Sequence, residues 1–351
     1  MKILTIICIV LFTATGIASI EAANKPRPLQ LIIPPGWPKP LYNFKYNPLT
    51  KEGFELGRKL FYDERLSKDS SISCASCHQQ FGAFATYDHN FSHGYNNTLT
   101  TRNAPSLQNL AWQKEFMWDG GINHLDLQPL APLTASNEMG ETLQNVIGKL
   151  NKDTAYKRLF KNAFGTAVIN TKRMSMALSQ FVLMLVSSNS KYDKVMRGEL
   201  AFAAAEKQGY EIFKQKCSSC HKEPLFSDFS YRNNGLLLDT TLNDYGRMKI
   251  TLDKRDSLKF KVPSLRNIAL TFPYGHDGRF FSLQSIYEHY RNKMVVAANT
   301  DSLLLKKIPI SNTETGLLTA FLRTLTDTSF LKNPQFAPPG YTITPAFIHY
   351  Q

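Results

Sequence analysis

The chain has 351 residues, of which 43% are hydrophobic and 20% charged. That content closes real cores and excludes a disordered chain, and the length suits two domains of ordinary size. The formal charge of +13 comes from scattered lysines and arginines rather than basic blocks, which speaks against a nucleic-acid partner.

In chain order, residues 1–23 come first. Lys2 precedes an apolar run from Ile3 to Ile20, and small residues follow at Ala22 and Ala23. This predicts a secretory signal peptide. The rival, an uncleaved membrane anchor, is weakened by Thr5, Thr13, Thr15, Gly16 and Ser19 within the run. Cys8 lies inside the apolar part of this leader, not at its end, so it does not read as a lipid attachment site. No later stretch of about 18 apolar residues predicts an integral membrane segment. Residues 24–49 are proline-rich and predict an extended arm. A helix is expected after Thr50 as N-cap, with Phe54, Leu56, Leu60 and Phe61 on its buried side. From His78 to about Met139 the chain is loop-rich, and loops of that length are usually functional. Helices return over 141–195 and over 203–216. A further loop-rich stretch precedes a helix from Leu283, and a last helix is expected over 313–326 with Thr313 as N-cap. Residues 333–351 form a tail. Few alternating patterns occur, so the fold class is all-α.

Of five cysteines, the four beyond the leader fall into two pentapeptides, Cys74-Ala-Ser-Cys77-His78 and Cys217-Ser-Ser-Cys220-His221. Two cysteines at this spacing reach both vinyl positions on one haem edge, and the following histidine lies under the iron. This is the c-type haem attachment signal. A thioredoxin-like redox pair needs a βαβ context that is missing. One zinc shared by two distant pairs leaves both histidines unexplained. Two C-x-x-C disulfides would be strained and close only tiny loops. A helix leads into each motif, so the expected architecture is two cytochrome c-like haem domains in tandem, at 50–198 and 199–332. Four haem propionates would make the holoprotein less basic than the bare chain, and a basic surface suits an acidic electron donor.

The chain resembles the bacterial dihaem cytochrome c peroxidases and their MauG-like relatives from about residue 50 to 330. The resemblance rests on the two haem motifs together with Arg102-Asn-Ala-Pro105, Phe116-Met-Trp-Asp-Gly120, Asn137-Glu-Met139, Val262-Pro-Ser-Leu-Arg-Asn267 and Pro273-Tyr-Gly-His-Asp-Gly278, in the family's order. It implies a peroxide-reactive N-terminal haem and a C-terminal haem where electrons enter. His93 stands where the peroxidases place a histidine that ligates the resting iron and leaves on activation. Tyr290 stands where peroxidases carry a ligating methionine and MauG a tyrosine. A phenolate lowers the iron potential and a thioether raises it. Met294, one turn on, is the alternative ligand. Helical spacing places Leu283, Ile286, Tyr290 and Met294 on one face.

The resemblance further makes Glu138 the acid–base group over the N-terminal haem. A carboxylate in an apolar haem pocket has the raised pKa that such proton shuttling needs. Gln128 resembles a second pocket residue, and Trp118 the tryptophan between the haems. Where the family often has arginine after Trp-Asp-Gly, this chain has Gly121. One calcium ion is implied, with Asn103 and the carbonyls of Thr271 and Pro273 as candidate ligands and water completing the shell. His89 and His124 read as surface residues.

The function expected is a periplasmic dihaem peroxidase that reduces hydrogen peroxide with electrons from a small redox protein of cytochrome c or cupredoxin type. The rival is a MauG-like oxidase acting through high-valent iron on a protein or small molecule. A third reading is a non-catalytic dihaem electron carrier, against which Glu138 argues, since transfer alone does not need it. Dimers occur in the family, which makes a homodimer an open expectation.

Overall fold

The computed structural model describes residues 25–340, so the expected leader and the end of the tail lie outside the described residues. The α-helices of six or more residues are α1 (Lys51–Phe61), α2 (Leu143–Asn151), α3 (Thr154–Phe164), α4 (Thr171–Leu183), α5 (Lys191–Met196), α6 (Ala204–Lys216), α7 (Leu283–Glu288) and α8 (Asn312–Arg323). The sheet content is small: β1 (Tyr231–Arg232) pairs antiparallel with β2 (Phe260–Lys261), Tyr231 opposite Lys261. The fold is helix-rich, as the sequence predicts.

Local chemistry explains the helix ends. Extended Thr50 accepts from the Gly53 amide at 3.0 Å and starts α1. Its apolar stripe, including Leu56 and Leu60, is fully buried. Glu206 reaches back to the Ala203 amide at 2.7 Å and starts α6, whose last turn carries Lys214 and Lys216, a favourable placement against the helix dipole. The last helix begins earlier than expected. Ser311, not Thr313, is its cap, because Ser311 and Glu314 bond each other's backbone in a reciprocal capping box.

Each haem motif follows a helix that crosses a later helix at a glycine. Helix α1 packs on α4, and α6 packs on α8. A methyl group on Gly57 would overlap the Ala177 carbonyl, and one on Gly209 would overlap the Leu317 carbonyl. Phe181 and Phe321 lie beside these two crossings. The repeat extends beyond the helices. Ser106 Oγ donates to Ala83 O at 2.5 Å, as Ser264 Oγ does to Leu225 O at 2.6 Å. Asn109 and Asn267 are both left-handed, and their amides donate to Leu185 O and Leu325 O. The bridge Phe116–Ile122 matches Tyr274–Phe280. The two serines, the two asparagines and both ends of the two bridges are related by one constant separation in the sequence.

Buried apolar residues form two clusters. The first joins α1 to α4 with the core residues around Phe84. The second gathers Tyr192, Phe213, Phe226 and Phe321 around α6 and α8. The chain does not stay within halves. Phe330 and Phe336 return to the first cluster, 5.7 and 6.4 Å from the Phe84 ring. The proline-rich arm lies along the same cluster, where Trp37 meets Trp112 edge-on at 5.0 Å. Between the halves, Arg266 is completely buried and makes a two-pronged ion pair with Asp193 at 2.8 and 2.9 Å.

One helix departs from the expected periodicity. Helix α7 ends at Glu288 and widens into a π-helical turn over His289–Lys293. The Met294 amide closes that turn on His289 O at 3.0 Å. The extra residue takes Met294 off the stripe of Tyr290, and Met294 packs against Gly235 instead.

Candidate haem centres and the junction between them

At the first centre, extended Ser73 opens a single helical turn, Cys74–Cys77, and its amide is held by Ser76 Oγ at 3.0 Å. The four cysteines 74, 77, 217 and 220 are all free thiols. His78 Nδ1 faces Phe84 O at 2.9 Å. That contact places the proton on Nδ1 and leaves the Nε2 lone pair available to a metal. Ala83 and Phe84 both adopt left-handed backbone, which turns the carbonyl toward the ring. The second centre repeats this arrangement: His221 Nδ1 lies 3.1 Å from Phe226 O and 3.2 Å from Pro263 O, with Phe226 again left-handed. Burial lowers the pKa of both histidines, which favours the neutral form that a metal ligand needs. Free thiols at this spacing and an anchored neutral histidine fit a covalently held haem at each motif.

A group from a distant segment interacts electrostatically with each pair of cysteines. Glu138 lies near Cys74 and Cys77. Burial raises Cys74 to about 12, with repulsion from Cys77 and Glu138 adding to it. Burial also pushes the Glu138 carboxyl above its ordinary range. Tyr290 lies near Cys217 and Cys220: burial raises it to about 12 and the two sulfurs add, while Asn234 opposes. His93 sits differently. It is exposed, and its Nδ1 contacts Asn97 Oδ1 at 2.6 Å. Its loop nonetheless abuts the Glu138 segment, because Tyr95 N donates to Glu138 O at 2.5 Å and Gly94 packs on Asn137 O. His89 and His124 are exposed.

Between the centres lies a polar junction. Trp118 is half-buried and donates from Nε1 to Asn103 O at 2.8 Å. Gln128 Nε2 lies 3.8 Å from Met117 Sδ, beside it. Asn103 is buried, donates from its amide to His276 O at 2.8 Å, and directs Nδ2 to the carbonyls of His89 and Asn90, both 3.2 Å away. Thr271 and Pro273 flank Phe272 on the neighbouring loop. Trp118 and His276 occupy equivalent places in the repeat. His276 stacks flat on Phe260, centroids 3.6 Å apart, and burial lowers its pKa to about 4.

Sequence reading gives no role to the residues that lock this junction. Arg102 binds Asp119 at 2.6 Å from its own half and Asp244 at 2.6 and 2.8 Å from the other. Arg102 lies in a quoted motif, which is a signal. Asp244 lies in a stretch with none.

Two anchored histidines, each beside a pair of free cysteines, with a half-buried acid near one pair and a half-buried phenol near the other, are the features of a dihaem redox centre. The chain belongs to the di-haem cytochrome c peroxidase family, whose model matches residues 51–201. It is 36% identical to the methylamine utilization protein MauG of Methylorubrum extorquens over 80% of both chains. It is 31% identical to the cytochrome c551 peroxidase of Nitrosomonas europaea over 93% of this chain and 92% of that one. Among solved structures, a MauG-like protein associated with microbial copper homeostasis superposes with a TM-score of 0.82 at 32% identity, covering 89% of this chain and 99% of that one. Among the described residues no helix is long and apolar enough to cross a membrane.

Proposed function

We propose that the protein is a periplasmic dihaem c-type peroxidase, reducing hydrogen peroxide to water with two electrons from a small redox protein and two protons. One haem is bound through Cys74, Cys77 and His78 in an N-terminal domain, the other through Cys217, Cys220 and His221 in a C-terminal domain. The haems supply iron that exchanges electrons and, in the N-terminal pocket, the face where peroxide binds. The observation that carries the reading is the half-buried Glu138 carboxyl, which interacts with Cys74 and Cys77 and whose pKa desolvation raises. There it takes the proton from the near peroxide oxygen and returns it to the leaving oxygen. Trp118, hydrogen-bonded across the junction, lies on the route from the C-terminal haem, and Gln128 lines the same side. Asn103 and the carbonyls of Thr271 and Pro273 offer neutral oxygens suited to one calcium ion.

A MauG-like oxidase is the second reading, favoured by the phenol of Tyr290 facing Cys217 and Cys220. Stopped-flow mixing of peroxide with fully oxidised and half-reduced holoprotein separates the two. Reaction only after half-reduction, with the N-terminal haem passing from low to high spin, marks His93 as a departing ligand and supports the peroxidase. Direct reaction of the oxidised protein supports the oxidase. Glu138→Gln is expected to slow peroxide turnover about 10²–10⁴-fold with both haems retained. Unchanged turnover would remove Glu138 from the chemistry.

A further inference from the structure

Three side chains meet beside the segment that anchors His221. The hydroxyls of Tyr192 and Tyr210 both donate to the same oxygen, Oε1 of Glu223, Tyr210 at 2.8 Å. The two rings lie edge to face with centroids 6.2 Å apart. Tyr192, on α5, is buried, and its ring lies 4.8 Å from that of Phe226. The Phe226 carbonyl is the group that faces His221 Nδ1 at 3.1 Å. Tyr210, on α6, is half-buried. His221, Phe226, Tyr192 and Tyr210 thus make one continuous line from the histidine to a side chain that solvent touches. Peroxide reduction at the N-terminal pocket uses none of the three.

We infer that Tyr192 and Tyr210 are a redox-active pair through which an oxidising equivalent passes from the C-terminal haem to the protein surface, with Glu223 as their shared proton acceptor. The inference rests on the proposed reaction with peroxide, which supplies the oxidant. Peroxide draws two electrons from the protein, and when no donor protein replaces them one comes from a phenol. The O–H bond of Tyr192 breaks, its electron goes toward the haem, its proton goes to Glu223 Oε1, and a neutral phenoxyl radical remains. Tyr210 then gives its electron to Tyr192 and its proton to Glu223, while the proton already held there returns to Tyr192. A one-electron reductant at the surface restores Tyr210, which takes its proton back. Burial, with the hydrogen bond and charge of Glu223 adding to it, raises the pKa of both phenols, so each has a proton to give. The Lys214 ammonium stands 4.7 Å from the Tyr210 ring centre. It disfavours a positively charged ring there, so the proton must leave with the electron.

The test looks for the radical. Half-reduced and fully oxidised holoprotein are each mixed with excess peroxide in the absence of a donor protein, frozen, and examined by EPR. Wild type is expected to give a radical signal that narrows when the protein carries ring-deuterated tyrosine, and that decays faster when ferrocyanide is added. The double variant Tyr192→Phe, Tyr210→Phe is expected to lose that signal while keeping both haems and still consuming peroxide. Tyr210→Phe alone is expected to hold the radical on buried Tyr192, where ferrocyanide quenches it more slowly; equal quenching overturns the outward step. A signal that survives in the double variant, or is missing from wild type that consumes peroxide, overturns the inference while the peroxidase reading stands. If wild type consumes no peroxide in either state, both fall. Should the double variant fail to fold, Glu223→Gln decides, because an amide cannot take the proton. Loss of the radical with peroxide consumption intact supports the inference, and an undiminished radical overturns it.

Discussion

Glu138 lies near one pair of cysteines and Tyr290 near the other, and under the proposed function the chemistry of the two haems diverges at these residues. Phenolate oxygen favours ferric iron, whereas thioether sulfur favours ferrous iron. Tyr290→Met is therefore expected to raise the reduction potential of the C-terminal haem alone, and Tyr290→Phe to give that haem a high-spin signal. Redox titration followed optically and by EPR reads both, and a potential unmoved by Tyr290→Met would mean that the phenol is not a ligand. The legibility of such residues depends on chain distance. The haem motifs are readable because every atom they need is contiguous. Glu138 and Tyr290 are readable only through resemblance to a family. Asp244 escapes reading because the partner that gives it meaning, Arg102, belongs to the other half of the chain.

Between residues and the fold stand the helix crossings. Glycine at 57 and 209 lets α1 and α6 approach the backbone of α4 and α8 until no side chain fits between. Gly57→Ala and Gly209→Ala are each expected to destabilise the protein by about 1–3 kcal/mol or more, because the helices must part. Chemical denaturation of the holoprotein measures the loss, and Gly148→Ala, where nothing lies within 4 Å, is the neutral control. A deficit equal to that of the control would disprove the close crossing. Helix existence is legible from apolar periodicity and caps, as α1 with Thr50 shows. Helix register at an end is less so: Thr313 and Ser311 are both good caps, and only the reciprocal bond to Glu314 decides between them. The π-turn after Glu288 has no periodic signature, since it is defined by a break in the period.

Over the whole molecule, two ion pairs link the halves, Arg266 with Asp193 and Arg102 with Asp244. Burial disfavours the Asp244 carboxylate, but hydrogen bonds and attraction from Arg102 outweigh it and hold the pKa down to about 2. An unfolded aspartate titrates near 3.9, so this pair contributes fully above about pH 5 and is lost as pH falls through 4 toward 2. The loss amounts to about 2 kcal/mol. Urea midpoints followed from pH 6 to pH 2 should fall more steeply for wild type than for Asp244→Asn; parallel curves would show that the pair does not couple to stability. Tandem halves are legible from the twice-used haem motif, but their entanglement is not, because Phe330 and Phe336 are ordinary apolar residues until their distant partner Phe84 is known. That entanglement sets a timetable. A chain is made from its N-terminus, yet the core around Phe84 is closed by Phe330 and Phe336, which emerge after the second haem motif. The half synthesised first therefore completes its core only after the second haem motif has been made.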